Sequence, residues 1–102
     1  MKLIEKISDP IDEEISDAKC YAKWAVEVKE TNSSLAEVLY SLSQDELKHA
    51  NMLHTEVVRI IEQYRREHGD PPPAMLAVYD YLHKKEIDKM AEAKNYQTLY
   101  KG

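Results

Sequence analysis

Between Leu35 and Tyr64 the chain keeps one face apolar at steps of three and four residues, through Leu39, Leu42, Leu53, Val57 and Ile60. That period marks a long amphipathic helix laid on a core. Two residues fall in phase with the stripe and break its character: Glu46 and His49, in the run Asp45-Glu46-Leu47-Lys48-His49-Ala50. A carboxylate and an imidazole in an apolar stripe must be neutralised, hydrogen-bonded or bound, because burying a bare charge is costly. A metal ion held between helices satisfies both groups at once.

A second helix repeats the pattern upstream. Ile11, Ile15, Ala18, Ala22 and Ala25 mark its buried side, Glu14 borders that side, and Tyr21 lies two turns further along the same face. The signals for its start are Asp9 as N-cap and Pro10 at the first helical position, so the expected span is about 10–30. The polar Thr31-Asn32-Ser33-Ser34 stretch is the expected turn, with Ser34 and Glu37 as a capping box for a helix over about 35–68. Gly69 suits the left-handed position past a helix end. Asp70-Pro71-Pro72-Pro73 is a stiff connector to a third helix over about 74–100, with Met75, Tyr79, Leu82, Glu86, Met90 and Ala93 on one side. Met1 to Lys6, with a weak Leu3-Ile4-Ile7 cluster, reads as an arm or a contact to a neighbour.

These signals give a single all-α domain over 1–102. Two Gly, no Phe and abundant Ala, Leu, Glu and Lys agree with that class. A net charge of −5 with no basic cluster argues against nucleic-acid binding. No apolar run reaches the roughly 20 residues of a membrane span, and the first residues lack a signal-peptide core. One cysteine, Cys20, precludes an internal disulfide and fits a reducing compartment, so a cytoplasmic location is expected. Cys20 itself reads as a small core or boundary residue, and Trp24 as an interface or core anchor.

Glu14 followed by Tyr21, and Glu46-Leu47-Lys48-His49 followed by Ala50 and Leu53, resemble the ferritin-like di-iron proteins, most closely rubrerythrin and the encapsulated-ferritin group. The spacing of Glu14 and Glu46 is similar to that between ligands on the first two helices of that family. A full member has two such sets of ligands, and this chain has one clear set. The encapsulated group likewise carries half a site per chain and completes it across a dimer. The resemblance therefore implies a ferritin-like antiparallel hairpin plus a third helix, with a four-helix bundle completed by dimerisation or higher homo-oligomerisation. It implies a di-iron centre (manganese or zinc as alternatives) ligated by Glu14, Glu46 and His49, with Tyr21 hydrogen-bonding a ligand carboxylate. The implied chemistry is oxidation of Fe(II) by oxygen or peroxide. A protein shell (encapsulin) is a further partner that the resemblance suggests, although the last residues, Asn95 to Gly102, do not resemble its targeting tail.

Other accounts stand beside these. Tyr21 fits an ordinary core tyrosine equally well, and Glu46 and His49 could pair with each other or with a lysine. Glu56 is a weaker candidate ligand, favoured as a solvated flank residue. Asp80, His83 and Glu86 repeat an acid–histidine spacing on the third helix and are also weaker candidates, since Asp80 and His83 lie off the Tyr79-Leu82-Glu86 stripe. His54 and His68 lack a carboxylate at ligand spacing and read as surface residues. The alternative function is a helical oligomerisation or interaction protein with no metal.

Overall fold

The computed structural model describes residues 2–102 and contains three helices: α1 Lys2–Val28, α2 Ser33–His68 and α3 Pro73–Lys101. They pack into a rod with extents of 56 × 19 × 17 Å. α1 is the central helix and pairs along its length with both others, whereas α2 and α3 touch sparingly. The bare hairpin α1–α2 thus carries α3 on one side.

α1 begins eight residues earlier than its capping signals indicate, and Pro10 lies inside it. The reason is the buried phase Ile4, Ser8, Ile11, Ile15, Ala18, Ala22 and Ala25, which runs unbroken through the proline. Pro10 removes one backbone donor, but it sits on the exposed face, while Ile4 is 3% exposed and anchors the turn before it. Residues 2–6 are therefore part of the helix rather than an arm; Met1 lies outside the described residues.

The α1–α2 turn is also capped differently from the expected box. Asn32 is the N-cap, its side chain accepting the Leu35 N–H at 3.1 Å, and the helix starts at Ser33. At the other end Gly69 takes a φ of 82° and donates its N–H to the Arg65 carbonyl at 2.9 Å, as its position in the sequence indicates. Pro73 opens α3, where its missing donor costs nothing.

The buried line of α2 is turned from the apolar stripe that defines it in sequence. It runs through Ala36, Leu39, Ser43, Leu47, Ala50, Val57 and Ile61. Leu35, Leu53 and Ile60 become half-buried flank residues and Leu42 is exposed. Small side chains explain the rotation. Ala18, Ala22 and Ala25 on α1, and Ala36 and Ala50 on α2, are essentially fully buried. An alanine-lined seam lets two helix backbones approach closely and leaves the larger residues at the rim. Across the seam the Ser43 hydroxyl donates to the Ala18 carbonyl at 2.6 Å, and Gln97 of α3 donates to the Ser43 oxygen at 2.9 Å.

Candidate metal centre

Glu14 of α1 and Glu46 and His49 of α2 come together on the side of the hairpin away from α3. One donor atom from each lies within 4.8 Å of the others. His49 Nδ1 is 3.5 Å from Glu14 Oε2 and 3.9 Å from Glu46 Oε1. Glu14 Oε2 is shielded from solvent and has no hydrogen-bond partner among the described residues. Such an orphaned carboxylate oxygen is costly to leave unmet, and an ion beside it would meet the cost.

The setting of this cluster is an uncovered apolar flank. His49 is 52% exposed at its side chain, against 28% for Glu14 and 20% for Glu46. Around them α1 presents Leu3, Tyr21, Trp24 and Val28, and α2 presents Leu35, Val38, Leu42, Leu53 and Ile60, all exposed or half-buried. Each of these lies within about a quarter turn of the ligand side of its helix, at 100° per residue. The flank is long and mostly apolar, interrupted by the exposed Lys6, Asp17 and Glu56, with the ligands near its middle. Contiguous exposed apolar surface of this kind marks a contact site.

The remaining candidates distribute unevenly. Tyr21 is half-buried and packs against Ala25, Ala36 and Leu39, without a hydrogen bond from its hydroxyl to Glu14 or Glu46. Glu56 is exposed and ion-paired with Arg59 at 2.9 Å. Asp80 is exposed, and His68 stands beside Glu67 at 3.8 Å on the surface. Cys20 is exposed rather than at a core boundary, and Trp24 is 48% exposed.

His83 and Glu86, in contrast, turn inward and meet His54 in a second cluster between α2 and α3, its donor atoms again within 4.8 Å. Glu86 is 6% exposed and accepts the Ser8 hydroxyl at 3.3 Å. The rings of His54 and His83 stack with centroids 4.6 Å apart, and Tyr79 lies against both, 5.5 Å from His83 and 6.4 Å from His54. Burial, and secondarily the neighbouring His83, lowers the pKa of His54 and favours its neutral imidazole, the form that ligates. Burial raises the carboxyl pKa of Glu86, against the Ser8 hydrogen bond and with Asp12 reinforcing it.

His54 is thus no surface residue. Its signal was the rotated buried line of α2, in which it follows Ala50 by four and precedes Val57 by three. Its carboxylate companion comes from another helix, so no spacing within α2 could reveal it. His83 likewise becomes legible only when α3 is set against α2.

Neither family models, curated proteins nor solved structures give a match to this chain. Among the described residues, no helix is long and apolar enough to cross a membrane. The site must be argued on its own chemistry.

Proposed function

We propose that this protein binds Fe(II) at Glu14, Glu46 and His49, in a centre completed by the same three residues of a second copy, and promotes its oxidation. The observation that carries the reading is the position of the donors: three convergent ligand groups in the middle of an uncovered apolar flank. Mixed carboxylate and imidazole donors suit iron and manganese, and facing helices of a bundle are where such sites are built.

Two hairpins joined by this flank would make a four-helix bundle, the usual way for hairpin faces of this kind to be covered. Joining also supplies what one chain lacks. Three donors from one copy and three from its mate give four carboxylates and two imidazoles, a set that balances two divalent ions in charge. Glu46 and His49 would hold iron from α2, one turn apart on the same helix. Glu14 brings a solvent-shielded oxygen that has no hydrogen-bond partner among the described residues. Fe(II) is the substrate: two ions give up one electron each, and with two protons these reduce dioxygen to hydrogen peroxide, or hydrogen peroxide to two molecules of water. The apolar flank would exclude bulk water from the donors, which strengthens their hold on a cation.

Two measurements test the reading. Purified protein loaded anaerobically with Fe(II) should retain iron and oxidise it faster than buffer alone. The Glu46→Ala, His49→Ala double variant should lose the oxidation and the iron held at this centre while keeping its helical content. Unchanged iron stoichiometry in the variant would remove the proposal. The exposure of His49 and its proximity to Glu14 favour one rival, a metal-free interaction protein in which the pair lies at a docking surface. That rival requires the wild type to associate equally well in the presence of a chelator and to ignore iron.

A further inference from the structure

The second cluster has features that packing alone leaves unexplained. Glu86 is a buried carboxylate whose hydrogen bond is to Ser8, through Oε1, so its second oxygen is free. His83 Nδ1 is shielded from solvent and has no hydrogen-bond partner among the described residues. His54, His83 and Glu86 together line a cavity of about 10 Å³, closed by Ile4, Ile11 and Val57. That is room for a single water-sized body. A wider cleft of about 160 Å³, lined by the same three residues with Asn51, Ile87 and Met90, leads out beside it. Two imidazoles, one carboxylate, an ion-sized space and a way in are the parts of a metal site.

We infer that His54, His83 and Glu86 of a single chain bind one divalent transition-metal ion, with zinc as the best chemical fit, separate from the Glu14, Glu46 and His49 centre. Two histidines and one glutamate form a recognised zinc donor set, with an open fourth position for water. Bonds of about 2.0–2.1 Å place tetrahedral donors about 3.3 Å apart, whereas the present donors lie within 4.8 Å. Side-chain rotations that open the His54–His83 stack would bring both imidazole nitrogens to bear on one ion. Ser8 orients the carboxylate from behind, the arrangement that fixes ligands in protein metal sites. The surrounding charge is mixed: Asp12 lies near Glu86, and Lys85 and Lys89 each stand 3.8 Å from Asp12. The ion would fasten α3 to α2, the pair of helices with the least contact of their own.

The inference is tested with Co(II) as a coloured probe in the Glu46→Ala, His49→Ala protein, so that the other centre contributes nothing. Equilibrium dialysis and visible absorption should report one Co(II) per chain, displaced by Zn(II). His83→Gln or His54→Gln on that background should weaken binding by about tenfold or more, since a ligand costs at least as much as its orienting neighbour. Absence of Co(II) binding in the background protein overturns the inference, as does a smaller loss in both glutamine variants. Should a variant fail to fold, imidazole nitrogen resonances of the wild type decide. Signals of both His54 and His83 are expected to shift or broaden with Co(II), and signals from either ring that stay sharp and unmoved overturn the assignment. Because the background lacks Glu46 and His49, failure of the iron proposal leaves this result unchanged.

Discussion

The two acid–histidine clusters use the same chemical groups and differ in what surrounds them. Glu14, Glu46 and His49 stand on an apolar flank that no helix of the chain covers, whereas His54, His83 and Glu86 are enclosed by α1, α2 and α3. On the proposed reading the open cluster is completed by a partner, which ties its chemistry to association. The closed cluster is complete within one chain, so it is tied to folding. Burial thus decides which equilibrium a ligand set is coupled to, a distinction that donor identity cannot make.

The largest expected effect comes from stripping donors from the open cluster. Glu46→Ala with His49→Ala should lower iron content by about one ion per chain in elemental analysis, the share of the proposed two-ion centre, while leaving the thermal midpoint of metal-free protein nearly unchanged. A large fall in that midpoint would show the open cluster to be structural and collapse the contrast.

Beneath the closed cluster, Ile11 is 2% exposed and lines its cavity. Ile11→Ala should cost about 2–5 kcal/mol in urea unfolding. The loss should be the same in dilute and concentrated protein if the region belongs to one chain.

Leu42, 37% exposed on the open flank, should behave in the opposite way. Leu42→Glu is expected to weaken self-association by about tenfold, roughly 1.4 kcal/mol, measured by sedimentation, with little change in the stability of the separated chain. An unaltered sedimentation profile would mean that the flank is not where copies meet.

The smallest effect is a pH dependence confined to the closed cluster in chelator-treated protein. Burial raises the Glu86 pKa, so the folded chain holds that proton more tightly than the unfolded chain. Its contribution is present in full below the ordinary glutamate pKa and is lost as pH rises through the raised value. His54, lowered by burial and by His83, works the other way: its contribution is present above the ordinary histidine pKa and lost as pH falls through the lowered value. Glu86→Gln should therefore be close to neutral in acid and stabilising near neutrality. Urea midpoints of the two proteins that run parallel across the range would contradict it.

How much of this was legible in the sequence depended on whether the cause was local. Gly69 ends α2 because its own backbone takes a conformation other residues resist, and that can be read from one letter. Leu39 and Val57 belong to the core by periodicity alone. Pro10 misled because its preference for a helix start is only a preference. The burial of Ile4 and Ser8 outweighed it. The phase of α2 was misjudged because leucines announce themselves as core, whereas here Ala36, Ser43 and Ala50 fill the seam. Glu14, Glu46 and His49 were readable because two of them share a helix. The Glu86 and His83 pairing with His54 crosses from α3 to α2, so it required the fold.

One oxygen sits where all three helices meet. Ser43 gives its proton to α1 at Ala18 and receives one from α3 at Gln97. Sliding either neighbour by a turn, about 5.4 Å, would cost the fully buried Ser43 hydroxyl one of its two bonds, so this hydroxyl favours one axial registry of the rod. Both acid–histidine clusters draw their members from different helices, so a serine with no place in either helps to align each.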